Sequence, residues 1–142
     1  MTSAISGCER VVINILSYTK PALALAQNAN KPVWTDLHDY DGRNPHHQPF
    51  IDAANVIFLS SDNLPDYRSF MKKMIDDGKE LVVCTHGSDG ATLLSRDGQW
   101  LEQPAFPVGQ VQDTNGAGDA FFSGFLCGHL NGENLKTCLR LG

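Results

Sequence analysis

Short apolar runs, separated by polar segments that contain proline or glycine, set the hydrophobic pattern of the chain up to Thr85. The first run is β-branched and apolar on both faces, as a strand buried between helices would be. The later runs have the length and composition of strands as well. The pattern therefore predicts four strands: Val11 to Leu16, Val33 to Asp36, Val56 to Leu59 and Glu80 to Thr85.

Helical patterns lie between these strands. Pro21 precedes a segment rich in alanine and leucine, Ala22 to Asn28, and a short helix is expected before Ala54. In the clearest helix, apolar residues recur at i, i+3, i+4, i+7 and i+8. They are Tyr67, Phe70, Met71, Met74 and Ile75. We expect Asn63 to cap this helix and Gly78 to end it.

After the fourth strand the pattern changes. Asp97-Gly98 lies between the apolar runs Ala91 to Ser95 and Gln99 to Gln103, which is typical of a β-hairpin. A long apolar run, Ala120 to Leu130, predicts a buried helix, and Asn134 to Leu141 predicts another. Strands that alternate with helices predict right-handed βαβ crossovers. The fold class is therefore α/β, with a Rossmann-like, mostly parallel sheet, helices on both faces and a β-hairpin.

Composition narrows the class of protein. The chain has 142 residues, of which 42% are hydrophobic, enough for one domain with a core. Its formal net charge is −5 and its 11 Lys and Arg residues are scattered, so we expect no nucleic-acid partner. The apolar runs are too short to cross a bilayer, and no signal-peptide pattern is present. We expect a cytoplasmic protein without a membrane partner.

The chemistry is concentrated in the segment Asp-Thr-Asn-Gly-Ala-Gly-Asp, from Asp113 to Asp119. Gly116 and Gly118 allow the backbone to approach a ligand, and the helix behind them would direct its first-turn amides at the same place. A phosphate is stabilised there by hydrogen bonds and the helix dipole. Asp119 beside it indicates a general base that deprotonates a hydroxyl group. Taken alone, Gly-x-Gly-Asp more often marks only a turn before a helix.

Three loops lie at the edge of the predicted sheet where parallel strands end. They follow Asp36, follow Leu59 and span Thr85 to Gly90. Ligands of such sheets bind at this edge. The convergence of these loops on the segment Asp113 to Asp119 predicts a nucleotide site.

The complete seven-residue segment, Asp113 to Asp119, resembles the signature of the ribokinase-like (PfkB) family of carbohydrate and nucleoside kinases. Thr85-His-Gly-Ser-Asp-Gly90 is similar to the family's Thr-x-Gly-x-x-Gly turn, which holds ATP phosphates. The resemblance implies ATP and Mg²⁺ as cofactors, and ATP and a small sugar-like substrate as partners. It implies that Asp119 is the catalytic base. The residues that it implies bind ATP are Ser60, Thr85, Gly87, Gly90 and Gly118.

The resemblance also implies an anion hole formed by Gly116, Ala117 and Gly118. Asp113 and Asn115 match positions at which many family members hold a monovalent cation such as K⁺. The remaining ligands of that cation would lie beyond Gly142, so the implied cation site is partial.

The chain departs from the family pattern after the third predicted strand. The family usually carries Asn-x-x-Glu there, which orders Mg²⁺, whereas this chain has Ser60-Ser-Asp-Asn63. Asp62 and Asp36 are the candidates to replace that motif. The resemblance covers only the nucleotide-binding half of the family. We therefore expect residues 1–142 to be a single partial domain, a fragment that is inactive alone.

Two functions from different classes follow. The first is ATP-dependent phosphoryl transfer to a hydroxyl of a sugar or related small molecule. The alternative is a non-catalytic ribokinase-like module that binds phosphate or nucleotide, or that serves in assembly. A dinucleotide-binding oxidoreductase is disfavoured because no strand runs into a Gly-x-Gly-x-x-Gly motif.

A half of a kinase is also expected to leave apolar surface uncovered. We expect that surface on Phe121, Phe125 and the strand Val11 to Leu16. Exposed large side chains forfeit roughly 1.5 to 3 kcal/mol each. The sequence therefore predicts that the chain associates with itself through this apolar surface.

Overall fold

The computed structural model of the chain describes residues 2–107, 109 and 113–142. Six strands form one sheet in the order β1-β2-β3-β4-β5-β6. The first four pair in parallel, and the last two add an antiparallel hairpin. The strands are β1 Val11–Val12, β2 Val33–Asp36, β3 Val56–Ser60, β4 Leu81–Thr85, β5 Ala91–Ser95 and β6 Trp100–Gln103. The predicted fold class is confirmed.

The first strand is shorter than the predicted Val11 to Leu16. The amide of Ile13 still donates to the carbonyl of Trp34 at 3.0 Å. Beyond Ile13 the chain turns, because the amide of Leu16 donates to the carbonyl of Asn14 at 2.8 Å. The hydroxyl of Thr19 donates to the same carbonyl at 2.6 Å. These local hydrogen bonds end β1 early, since they use an acceptor that pairing would need.

Six α-helices accompany the sheet in the residues that the structure describes. They are α1 Thr2–Gly7, α2 Lys20–Asn28, α3 Gln48–Ala53, α4 Tyr67–Asp76, α5 Ala117–Leu130 and α6 Leu135–Leu141, with 3₁₀ turns at Ser17–Thr19 and Gly87–Asp89. In the described part of the chain, none of the helices combines the length and apolar character that crossing a bilayer requires.

Four of these helices cover one face of the sheet. Helices α1 to α4 pack there against alternate strand residues such as Ile57 and Val82. The reason is topological: parallel strands are added in one direction across the sheet, and crossovers of one hand then fall on one face. The second face is left for the C-terminal helices.

Helix α5 is fixed to this second face by aromatic rings. Phe122 and Phe125 lie against Phe58 of β3, with ring centroids 4.6 and 5.2 Å apart. Trp34 of β2 completes the cluster, 6.2 Å from Phe125 and 6.0 Å from Phe58. The four rings are buried. Such packing contributes apolar burial and ring–ring attraction together.

Helix α4 begins later than the sequence indicated. It starts at Tyr67 after Asp66, and no side chain caps it. The side chain of Asn63, the predicted cap, instead donates to the carbonyl of Asp39 at 3.2 Å. The cap prediction was wrong because α4 begins only at Tyr67, so that Asn63 lies three residues before the N-cap position, Asp66. Gly78 adopts φ +95°, as predicted for the residue that ends the helix.

Glycines on α5 allow α6 to approach closely. A Cβ atom on Gly124 would collide with the carbonyl oxygen of Leu141 and lie 2.9 Å from its carbon. A Cβ atom on Gly128 would lie 2.8 Å from Leu141 Cδ1 and 3.3 Å from Cys138 Sγ. Because these residues are four apart, they form one smooth strip on α5. The close contact between α5 and α6 depends on that strip.

The exposed apolar surface differs in part from the expectation. Phe125 is fully buried rather than exposed, because it packs into the aromatic cluster beneath α5. Phe121 is half-buried. Val12 and Leu16 are 43% and 44% exposed, and Leu130 is 51% exposed. Self-association through this surface stays a prediction.

We expect Gly124→Ala to destabilise the chain by roughly 1 to 3 kcal/mol, the usual cost of overpacking, because its methyl group meets the backbone of α6. The free energy of unfolding in urea measures the change. Gly118→Ala is the matched control on the same helix, since no atom of the described part of the chain lies within 4 Å of its Cβ position. That control should gain about 0.5 to 1 kcal/mol. Equal stability of the two variants would contradict the packing assignment.

The surroundings of His129, near the end of α5, disfavour its protonation. Nη1 of Arg10 lies 2.8 Å from Nδ1 of His129, so the guanidinium donates and the imidazole accepts. The imidazole ring also lies 4.9 Å from the ring of Trp34. Burial, and then the charge of Arg10, lower the pKa of His129 below its ordinary value of 6.5.

This lowered pKa predicts the direction of a pH effect. Below pH 6.5 the unfolded chain binds a proton at His129 before the folded chain does. The free energy of unfolding therefore falls as the pH falls through that value. We expect His129→Gln to flatten the dependence between pH 7 and 5, measured by urea unfolding, and Arg10→Gln to flatten it less. The slope does not vanish, because burial also lowers the pKa of His47 and His86. An unchanged slope in His129→Gln would refute this account.

Candidate nucleotide-binding and phosphoryl-transfer site

Three of the strands end in polar residues at one edge of the sheet. Asp36 ends β2, Ser60 ends β3 and Thr85 ends β4. Ser60 and Thr85 are direct neighbours in the register of the parallel pair β3 and β4. The amide of Ser61 donates to the carbonyl of Thr85 at 3.0 Å, which joins the loops after the two strands. This carboxyl edge is where ligands of parallel sheets bind.

The turn after β4 needs glycine at its end. Gly90 has φ +100°, and a Cβ atom there would overlap the carbonyl oxygen of Gln103. The amide of His86 donates to the carbonyl of Gly90 at 2.8 Å, which closes the turn. Gly87 has φ +55° within it. No other residue could bring the turn so close to β6.

The first turn of α5 leaves amides open. Gly116 precedes the helix at φ +76°, and the amide of Ala117 donates to the carbonyl of Thr114 at 3.1 Å. The amides of Gly118 and Asp119 have no acceptor among residues 2–107, 109 and 113–142. Two donors at a helix N-terminus suit an anion. Of the three residues implied to form the anion hole, Ala117 uses its amide within the turn.

Three adjoining cavities follow the carboxyl edge. The outer cavity, about 530 Å³, is lined by Val12, Asn14, Asp36, Asp119, Phe122, Ser123, Leu126, Cys127, Leu130 and Asn131. The central cavity, about 210 Å³, is lined by Asp36, His38, Asp39, Phe58, Leu59, Ser60, Asp62, Thr85, Gly118 and Phe121. A third, the turn cavity, of about 400 Å³, lies between the turn after β4 and α6.

Shared residues join these cavities in a row. Asp36 lines both the outer and the central cavity. Thr85 and Gly118 line both the central and the turn cavity, which also contains Gly87 and Gly90. The site residues implied by the sequence are brought together only in part. Asp119 lines the outer cavity, whereas Gly116 lines none of the three cavities. Those that line the central or the turn cavity are Ser60, Thr85, Gly87, Gly90, Ala117 and Gly118. A molecule in the turn cavity would contact Gly118, and a molecule in the outer cavity would contact the adjacent residue Asp119.

A carboxyl pair and an imidazole lie where the outer and central cavities meet. Asp36, His38 and Asp119 each offer a ligand atom within 4.8 Å of the others. The amide of His38 donates to Oδ1 of Asp36 at 2.8 Å. Burial raises the pKa of the Asp36 carboxyl; the His38 hydrogen bond opposes that rise, and nearby Asp119 adds to it. No sequence pattern pointed to His38, which lies in the loop after β2 and has a positive φ of 53°.

The segment that replaces Asn-x-x-Glu reaches the central cavity through one residue. Asp62 lines that cavity beside Ser60, and its amide lies 3.2 Å from the Ser60 hydroxyl oxygen, which accepts the hydrogen bond. Asp36 ends the neighbouring strand β2, which pairs with β3, and lines the same cavity. Both candidates to replace the motif are thus brought together.

Asp113 and Asn115 lie just before α5. Oδ1 of Asp113 accepts a hydrogen bond from the amide of Asn115 at 2.8 Å, and both residues are exposed. Neither lines any of the three cavities. Residues 110–112, which precede them, lie outside the described part of the chain. The cation site implied for Asp113 and Asn115 stays a prediction.

Comparison with known proteins identifies relatives. Residues 52–142 match the model of the pfkB family carbohydrate kinases. The chain is 45% identical over 113 residues to the acarbose 7(IV)-phosphotransferase of Actinoplanes sp. The aligned region covers 78% of this chain and 38% of that protein. It superimposes on a microbiome-derived acarbose kinase with a TM-score of 0.83 and 30% identity, over 98% of this chain and 48% of the other.

A ribokinase of Arabidopsis thaliana, solved with ribose and ATP, has the same fold. It superimposes with a TM-score of 0.79 and 21% identity, over 98% of this chain and 48% of that chain. The chain thus spans about half the length of these structures, and less of the Actinoplanes relative. Since the family model matches well over half of its residues, the chain belongs to the pfkB family of carbohydrate kinases.

Proposed function

We propose that this chain supplies the nucleotide-binding and catalytic residues of a kinase that transfers the γ-phosphoryl group of ATP to a hydroxyl of a sugar or related small molecule. One observation carries the proposal. Among the described residues the amides of Gly118 and Asp119 are open; Gly118 lines the turn cavity and the central cavity, and Asp119, the next residue, lines the outer cavity, which shares Asp36 with the central one. A donor site between two cavities suits a group in transfer between two molecules.

In this proposal ATP occupies the turn cavity. The polar Thr85 and the glycines of the turn face its phosphates, and the apolar side chains Ala105, Phe106 and Leu139 suit its base. The phosphates extend toward Gly118, which lines the central cavity as well. None of the described residues lies within 4 Å of the Cβ position of Gly118. The fold itself therefore does not require glycine there, whereas close approach of a phosphate would.

The acceptor occupies the outer cavity in this mechanism. Its hydroxyl lies at Asp119, which takes the proton as the oxygen attacks the γ-phosphorus of ATP. The bond between that phosphorus and the β-phosphate oxygen breaks, and ADP leaves. The amides of Gly118 and Asp119 stabilise the charge on the phosphoryl oxygens. Asn14 in the same cavity can hydrogen-bond a further hydroxyl of the acceptor. The chain's contribution to the rate is then mostly positioning and electrostatics.

The proposal also assigns residues that bind metal ions. Carboxylate oxygens suit Mg²⁺, and Asp36 and Asp62 both line the central cavity beside Ser60. We propose that these two residues hold it in place of Asn-x-x-Glu. A bound Mg²⁺ would neutralise phosphate charge. We also propose that K⁺ binds at Asp113 and Asn115, and that the kinase works in the cytoplasm.

The alternative is a module that binds nucleotide without catalysis. The replacement of Asn-x-x-Glu by Ser60-Ser-Asp-Asn63 favours it. Both functions require the open amides, but only catalysis requires the carboxylate of Asp119. The two variants below therefore separate them.

Gly118→Ala tests the anion site. Its methyl group enters the space where the phosphate would lie, so we expect ATP affinity to fall by about tenfold or more, the equivalent of roughly one lost charge-assisted hydrogen bond. Calorimetric titration with ATP measures the change. Lys72→Ala, on α4, serves as a control because Lys72 lines none of the three cavities. Unaltered ATP affinity in Gly118→Ala would rule the anion site out.

Asp119→Asn tests the base. The change keeps size and hydrogen bonding but removes the proton acceptor, so kcat should fall by roughly a hundredfold or more while the KM for ATP changes little. The assay uses the Actinoplanes phosphotransferase with its matching segment replaced by this chain, and coupled detection of ADP. The chain alone should phosphorylate no sugar of a pentose and hexose panel. A chimera active with Asp119 that keeps most of its turnover with Asn would exclude the role.

A further inference from the structure

His86 lies inside the turn that the proposed function assigns to ATP phosphates, and both of its ring nitrogens have partners. Nδ1 lies 2.9 Å from Oγ of Ser61. Nε2 lies 2.9 Å from Oγ1 of Thr92. The residue itself does not line the central or the turn cavity. It lines a separate cavity of about 440 Å³ together with Ser61 and Thr92. Its effect on a ligand of the central and turn cavities is therefore exerted through the residues to which it is hydrogen-bonded.

The two hydroxyl partners belong to different parts of the site. Ser61 follows Ser60, the last residue of β3 and a wall of the central cavity. Thr92 lies in β5 and is 3% exposed. The ring thus bridges the loop after β3 and the antiparallel hairpin across the start of the turn. Backbone hydrogen bonds at Ser61 and Gly90 hold the same region, but none of them joins these two sides directly.

The surroundings of His86 disfavour the protonated form of its imidazole. The ring of Tyr67, the first residue of α4, lies 4.5 Å from the ring of His86. Burial, and then the charge of Arg68, lower the pKa of His86. A neutral imidazole has one donor and one acceptor, and a hydroxyl can complement either. Both hydrogen bonds can therefore be satisfied at once.

We propose that His86 is a positioning residue, which fixes the Thr85–Gly90 turn relative to Ser60 and so sets the geometry of the phosphate site. The inference rests on the proposed binding of ATP at this turn. His86 clamps the turn from both sides, with Ser61 on one nitrogen and Thr92 on the other. Loss of the clamp lets the turn move while the strands stay paired. Phosphate recognition should then weaken, and recognition of the nucleoside should not.

The test separates these two recognitions. We expect His86→Ala to lower the affinity for ATP by about tenfold, the equivalent of two ordinary hydrogen bonds, and to leave adenosine binding unchanged. Calorimetry measures ATP, and saturation-transfer NMR measures adenosine. His86→Gln, whose amide both donates and accepts, should restore ATP affinity to within about threefold of the parent. A general loss of packing would weaken both ligands alike and would not be rescued by glutamine.

Two further variants keep the inference open to refutation if His86→Ala does not fold. Ser61→Ala removes one partner at a half-buried position, and it should weaken ATP but not adenosine. His46→Ala is the matched control, because its ring bonds the carbonyl of Ile15 at 2.7 Å and lines none of the three cavities. Parent-like ATP affinity in His86→Ala or in Ser61→Ala, or equal losses for ATP and adenosine, would overturn the clamp alone. A parent chain that binds no ATP would overturn the proposed function and the clamp with it.

Discussion

The seating of α5 on β2 and β3 is the interaction on which the candidate site depends. Trp34 and Phe58 project from the sheet, and Phe122 and Phe125 from the helix, with ring centroids 4.6 to 6.4 Å apart. Buried rings of this size permit few alternative arrangements, because interiors are close-packed. The helix axis is thereby fixed, and its open N-terminus meets the carboxyl edge of the sheet.

Local patterns were sufficient for much of this architecture. Strand Val33–Asp36 has the predicted bounds, and the hairpin turns at Gly98, whose φ is +81°. These features depend on hydrophobic periodicity and on turn glycines, both of which can be recognised from a few neighbouring residues. The segment Asp113 to Asp119 could be recognised for the same reason, since the start of a helix and its open amides are local properties. The residues of this segment lie near Asp36 because the parallel strands of the sheet end at the same edge.

The features that sequence reasoning missed depend on partners distant along the chain. Asn63 bonds to Asp39 instead of capping α4, and His86 bonds to Ser61. Phe125 was expected to be exposed, but its burial follows from Phe58 and Trp34 on two separate strands. His38 joins Asp36 and Asp119 only through the folded loop. A periodic pattern contains no information about such pairings, which are decided by tertiary geometry.

The strand order has a consequence for how the chain folds. Each strand pairs with the one before it in sequence, so the sheet grows by short loop closures and has a low contact order for a parallel sheet. During synthesis the first four strands and their helices can assemble as they leave the ribosome. Trp34 and Phe58 nevertheless stay uncovered until α5, which is synthesised much later, packs against them. The aromatic side of the nascent sheet is therefore the surface that a chaperone would meet, and its sequestration coincides with completion of the nucleotide site.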